Sequence, residues 1–329
     1  MTRAAVIFGC EGHTLTGWER DFFRDVDPWG FILFARNVDH PDQLRRLTAS
    51  LRETVGWDAP ILIDQEGGRV QRLGPPHWRS YLPAYDQMQR SSDPVRAFWL
   101  RNRLIAQELY DVGIDVNCAP LADIAEPATH PFLRNRLYGE DVETVVTAAQ
   151  VCAAAHLAGG VLPVLKHMPG HGQAQVDSHK SLPTVRSDRA ALAAHEFATF
   201  KALNDIRLGM TCHLVFDAID PINPATTSAK LLKVIRTEIG FDGLIMTDDI
   251  GMEALSGSIP ARATAALTAG CDLVLQCNGG RAVQEPLAAV IPLMSAAATQ
   301  RADHALAQCQ TPVPIDIRAC EAELASLLG

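Results

Sequence analysis

The chain has 329 residues, 47% hydrophobic and 20% charged, which is enough to bury a large core and too apolar for a disordered protein. Its formal charge of −9, with no basic cluster, excludes the footprint of a nucleic-acid binder, and no apolar span reaches membrane length. The eight cysteines form no C-x-x-C pair and the N-terminal apolar run is too short for a signal peptide, so a cytoplasmic protein with buried thiols is expected.

From the N-terminus, short apolar runs at 5–8, 31–35, 60–63, 114–118, 161–165, 208–212, 244–247 and 273–277 read as strands. Between them, helical periodicity covers 42–55, 94–111, 141–158, 187–204, 228–239, 259–269 and 282–298, with a short helix at 17–25 in the first gap. Several of these stretches stop at glycine, as at Gly113, Gly159, Gly240 and Gly270. Eight alternating units predict an α/β fold, a (β/α)8 TIM-type barrel forming one catalytic domain over 1–329; an open doubly wound sheet is the alternative. A final amphipathic helix at 314–328 is expected to pack outside the barrel.

Barrel enzymes place their chemistry at the C-terminal ends of the strands. Here those ends carry Arg36-Asn37, Asp64-Gln65-Glu66, Asn117, Lys166-His167, His213, Asp248-Asp249 and Gln276. One polar strand end means little, but their convergence predicts a site. Three connections, 65–93, 119–140 and 168–186, are far longer than the usual few residues and are expected to wall it. They carry Glu66, Arg69, Arg72 and Trp78, then Arg134 and Arg136, then Asp177 and His179.

The densest stretch runs from Lys166 to His179 and packs a lysine, three histidines and an aspartate into fourteen residues. One reading makes His167, His171, Asp177 and His179 metal ligands, although Pro169 and Gly170 preclude the helix that would align His167 with His171. Another makes the stretch an internally satisfied polar loop. In a third, Asp177 and His179 lie two apart in extended backbone and point to one side, forming a proton-transfer dyad in which the carboxylate orients the imidazole. Such a dyad needs a nucleophile opposite it, and Asp248 is the best candidate.

Four motifs carry a family resemblance: Asp64-Gln65-Glu66-Gly67-Gly68-Arg69-Val70-Gln71-Arg72, Lys166-His167-Met168-Pro169-Gly170-His171-Gly172, Asp177-Ser178-His179, and Phe241-Asp242-Gly243-Leu244-Ile245-Met246-Thr247-Asp248-Asp249. With GFILFARN at 30–37, they resemble the single-domain bacterial β-N-acetylglucosaminidases (β-hexosaminidases) of glycoside hydrolase family 3. The resemblance implies a retaining exo-hydrolase that removes terminal β-linked N-acetylglucosamine from cell-wall muropeptides during cytoplasmic peptidoglycan recycling. It implies Asp248 as nucleophile, His179 as acid/base and Asp177 as its orienting partner. Asp64, Arg72, Arg136, Lys166 and His167 would bind the sugar, and His213 would line the pocket.

The segment Arg134-Asn135-Arg136-Leu137-Tyr138-Gly139 matches the family loosely, so two arginines compete for one role. Met168 stands where the family usually has phenylalanine. The expected ligand is a glycan or muropeptide, with no cofactor, no metal, no nucleic acid, no membrane and a monomeric protein. Two rivals remain: a substrate-assisted hexosaminidase using Asp248-Asp249, and a metal-dependent barrel hydrolase using His167, His171 and His213.

Overall fold

The computed structural model describes residues 2–174 and 182–329. Its strands are β1 (Ala4–Gly9), β2 (Pro28–Leu33), β3 (Ile61–Ile63), β4 (Val116–Asn117), β5 (Leu162–Met168), β6 (Thr184–Val185), β7 (Leu208–Thr211), β8 (Val215–Phe216), β9 (Leu244–Asp249) and β10 (Leu273–Gln276). Eight of them close a parallel barrel in the order β1-β2-β3-β4-β5-β7-β9-β10, as the sequence predicts. Closure is made at Ile7, which is in register with Gly30 of β2 on one side and Leu275 of β10 on the other. The remaining two, β6 and β8, form a separate parallel pair.

Alternation along each strand divides the apolar residues into two cores. Ala5, Ile7, Leu62, Val116, Leu162, Val164, Leu208, Met210, Leu244, Met246, Leu273 and Leu275 fill the barrel, while Val6, Phe8, Phe31, Ile61, Ile63, Leu165, Ile245 and Val274 face the surrounding helices. The barrel floor is closed by Met294 and Ala298, because Ala5 and Met294 donate amides to Pro292 and Arg3 carbonyls and so hold residues 292–294 across the N-terminal end of β1. The opposite, C-terminal mouth is left for polar groups.

Three expectations about helices change. The stretch 187–204 is two helices, Arg189–Ala194 and Glu196–Ala202, which meet at His195 with φ −118° and ψ −84°. The stretch 282–298 also divides, into Arg281–Ala288 and Ala296–Leu306, with Pro292 between them and the Ser295 side chain capping the second. The long connections are partly ordered as helices too, at Ala84–Arg90 and at Pro131–Arg134, the latter starting on a proline and capped by the His130 side chain.

The C-terminal helix Ile317–Leu328 lies against Pro94–Tyr110, tied there by an Arg96–Glu323 ion pair of 2.6 Å. All eight cysteines are free thiols; six are buried, whereas Cys309 is exposed and Cys320 half-buried, which corrects the expectation for those two. No helix among the described residues is long and apolar enough to cross a membrane.

Candidate active site

The mouth of the barrel holds a cavity of about 270 Å³. Its polar lining comes from the ends of β3, β5 and β9, which supply Asp64, Lys166, His167 and Asp248, and from two long connections, which supply Arg69, Arg72 and Arg136. Ile32, Val70, Met210 and Leu275 provide the apolar wall. Lys166 and His167 are joined by a cis peptide bond, and both side chains face the cavity.

A charge ladder fixes the cations. Glu66 accepts from both Nε and Nη2 of Arg136 at 2.8 Å, the paired geometry that favours guanidinium, and lies 2.7 Å from Lys166 Nζ. Lys166 also donates to Asp64 at 3.1 Å, and Asp64 accepts from Arg72 at 3.3 Å. Burial opposes charge on Glu66, but Arg136 and Lys166 outweigh it and hold the carboxyl well below its ordinary range. Burial likewise opposes the Lys166 charge, and Glu66 with Asp64 holds the ammonium above the usual lysine value. The result is a row of ionised groups locked in place before any ligand arrives.

Gln65, buried between Asp64 and Glu66, clamps the Arg72 loop: its Oε1 accepts from the amides of Arg72 and Leu73, and its Nε2 donates to the Leu73 carbonyl. Its own backbone is held by Asn117 of β4, whose side chain bonds both the Gln65 amide and carbonyl.

The turn after β5 is organised by Asp123. This fully buried carboxylate accepts from His167 Nδ1 at 2.8 Å and from the His171 amide at 2.8 Å. Burial pushes Asp123 up, but His167 and His171 outweigh it, so the carboxyl sits below its ordinary value. With Nδ1 engaged, the other ring nitrogen of His167 is the one turned to the cavity side. Gly170 adopts φ +143° with its α-carbon against Glu196, and a Cβ on Gly172 would collide with the Ile124 carbonyl. The two glycines let the turn lie flat against its neighbours.

Asp248 differs from Asp64 in carrying no ion pair among the described residues; its Oδ1 accepts from the Asp249 amide at 2.7 Å. Burial raises this carboxyl, yet His213, His167, that amide and Lys166 together leave it below its ordinary value, an available anion facing the cavity. Asp249 points elsewhere: Oδ1 accepts from the amides of Gly251 and Cys277 at 3.0 and 3.2 Å, and burial raises its carboxyl.

The model for the glycosyl hydrolase family 3 N-terminal domain matches residues 24–310. The chain belongs to glycosyl hydrolase family 3. This family 3 enzyme, a glycoside hydrolase, is 37% identical over 291 residues to a β-hexosaminidase of Alkalilimnicola ehrlichii, covering 86% of the chain and 83% of the relative. A β-hexosaminidase of Pseudomonas aeruginosa is 34% identical over 286 residues, with 85% and 84% covered. The crystal structure of NagZ from Neisseria gonorrhoeae in complex with N-trifluoroacetyl-D-glucosamine superposes with a TM-score of 0.87 at 29% identity, covering 100% of this chain and 99% of that one.

In this family 3 hydrolase, Asp64, Arg72, Arg136, Lys166, His167 and Asp248 come together from the full length of the sequence. Of the two competing arginines, Arg136 lines the cavity, while Arg134 pairs with Glu140 away from it. Contrary to expectation, His213 is not part of the lining. It is buried one layer behind, with Nε2–H donating to the Asp249 carbonyl at 3.0 Å and Nδ1 within 2.7 Å of the Thr226 hydroxyl. Burial lowers its pKa, against the pull of Asp248 and Asp249. Asp177 and His179 lie outside the described residues.

The rival metal site of His167, His171 and His213 is not formed; the set that adds Asp177 and His179 lies partly outside the described residues. His167, His171 and His213 do not gather their ring nitrogens, and among the described residues only Glu126, His195 and Glu196 bring three ligand atoms within 4.8 Å of one another. Glu66, Gln65 and Asp123 are functional neighbours that motif reading left without roles. Asp123 had a usable signal, a lone carboxylate within the apolar run Leu121-Ala122-Asp123-Ile124-Ala125.

Proposed function

We propose that the protein is a retaining exo-β-N-acetylglucosaminidase that releases terminal N-acetylglucosamine from muropeptide fragments, through a covalent glycosyl-enzyme on Asp248. The observation that carries this reading is the Asp248 carboxylate, without an ion pair among the described residues and facing a small cavity in which Asp64 is already paired with Arg72 and Lys166. Asp64, Arg72, Lys166, Arg136 and His167 supply the donors and acceptors that a sugar's hydroxyls require. A fixed anion opposite the anomeric carbon stabilises the oxocarbenium-like transition state and then forms the bond.

His179, oriented by Asp177, serves as acid in the first step and base in the second. The N-trifluoroacetyl-D-glucosamine in the Neisseria gonorrhoeae relative supports an N-acylated sugar as the bound unit. The chain works as one catalytic barrel, monomeric and cytoplasmic, in cell-wall recycling. The substrate-assisted alternative needs Asp249 in the cavity, and its carboxylate is instead committed to the Gly251 and Cys277 amides.

The deciding experiment is mechanism-based trapping with a 5-fluoro N-acetylglucosaminyl fluoride, followed by peptide mass spectrometry. A stoichiometric adduct on Asp248 is the expected result. Tight inhibition by a thiazoline mimic, with no adduct formed, would overturn the covalent route. Release of N-acetylglucosamine from N-acetylglucosaminyl-anhydromuramic acid tests the substrate class.

A further inference from the structure

Behind the turn at residues 167–172 lies a group of side chains that the glycosidase reading does not use. Glu126 comes from the connection after β4, and His195 and Glu196 come from the junction where two short helices meet. Glu196 is 1% exposed, and neither of its carboxylate oxygens has a hydrogen-bond partner; the Nδ1 of His195 is a buried atom in the same condition. Buried polar atoms without partners are rare, and a buried carboxylate without one is costly. Its charged neighbours, Asp123 and Glu126, are of the same sign and, with burial, push its carboxyl well above the ordinary range.

What would satisfy all three groups at once is a cation. His195 Nδ1 lies 3.7 Å from Glu126 Oε1, and the three ligand atoms lie within 4.8 Å of one another. Bonds of about 2.0–2.2 Å to a tetrahedral ion put neighbouring ligands roughly 3.3 Å apart, so side-chain rotations of about an ångström complete the set. The side chains of Glu126 and His195 are 32% and 34% exposed, which leaves a path for the ion and a place for water as the fourth ligand. One imidazole with two carboxylates suits zinc better than magnesium or calcium, which favour six or more oxygens.

We propose that Glu126, His195 and Glu196 form a zinc-type divalent metal site that ties the connection after β4 to the helix junction behind the His167 turn. None of the three lines the cavity, and the site does not depend on which sugar is bound. Its role is structural. Glu196 packs directly on Gly170, so the ion braces the turn that presents His167.

The test uses the full chain, stripped with a chelator, returned to zinc chloride and gel-filtered. Bound zinc is read by elemental analysis and the thermal midpoint by calorimetry. Wild type is expected to retain zinc and to gain about 3 °C or more at saturation. Glu196→Gln and, separately, Glu126→Gln should each bind one zinc fewer than wild type and lose that gain. Glu196→Gln replaces the carboxyl with a neutral group of the same shape, so its zinc-free midpoint should stay close to that of wild type, which separates lost binding from lost folding. Wild type without retained zinc, or variants with the full wild-type zinc and midpoint gain, would overturn the proposal.

Discussion

At Glu66 a single carboxylate, 3% exposed, holds Lys166 and Arg136 together, and removing it strands the buried Arg136 and leaves Lys166 with Asp64 alone. Breaking such a pair typically costs about 3–5 kcal/mol, so Glu66→Gln should lower the unfolding free energy by roughly 3 kcal/mol in urea titrations and raise KM. A change below 0.5 kcal/mol would mean that the cations are anchored by other groups. Because the folded value of Glu66 is depressed, its stabilisation is full above the unfolded value of about 4.3 and is lost as pH falls through the folded one. Asp248→Ala should abolish turnover of a chromogenic N-acetylglucosaminide while leaving ligand binding measurable; substantial residual hydrolysis would remove Asp248 from its role. His179→Ala should cost about 10²–10⁴-fold with a poor leaving group and much less with an activated aryl one. Equal losses on both would argue against proton donation. Asp248, Lys166 and Asp64 were legible in the sequence because barrel topology gives strand ends a meaning. The partnership of Glu66 with residues 70 and 100 positions away was not, since no local pattern encodes it.

Between elements, Asp123 joins the β4 connection to the turn after β5 through His167 Nδ1 and the His171 amide. Asp123→Asn keeps the shape but removes the charge and one acceptor, so the imidazole loses its fixed orientation. A lost buried bond of about 1.5–3 kcal/mol corresponds to a 10–100-fold drop in kcat/KM, with the folded structure retained by circular dichroism. Unchanged kcat/KM would show that the turn, and not Asp123, sets the ring. The same scale explains where sequence reading failed. The break at His195 falls in Ala193-Ala194-His195-Glu196-Phe197, which contains neither proline nor glycine, so periodicity runs straight through it. The break near Pro292 was announced by that proline and by the capping Ser295, signals that the long apolar run over 286–298 concealed.

Across the whole molecule, the eight-fold alternation was legible because the barrel strands bury both faces while helices such as Gly17–Val26 and Pro41–Val55 bury one, so the two periods separate. The couplings between layers were not, and His156 is the clearest. It sits in the helix Val142–Ala158, fully buried, with Nδ1–H donating to the Cys152 carbonyl and Nε2 accepting from the Asn117 side chain. Asn117 in turn holds Gln65, next to the cavity carboxylates. Protonating Nε2 would set a donor against the Asn117 amide, and burial pushes the His156 pKa down to about 4. Between about pH 4 and 6.5 the unfolded chain therefore binds a proton that the folded chain refuses, and stability rises with pH through that window. The buried carboxyls Glu196 and Asp249, raised in the fold, pull the opposite way, so the informative quantity is a difference between variants. From pH 6 to 5, the stability advantage of wild type over His156→Gln should shrink by about 1.2 kcal/mol, measured by urea unfolding at each pH. A gap that stays constant over that range would mean that His156 takes up its proton in the folded state, and that the Asn117 link tolerates it.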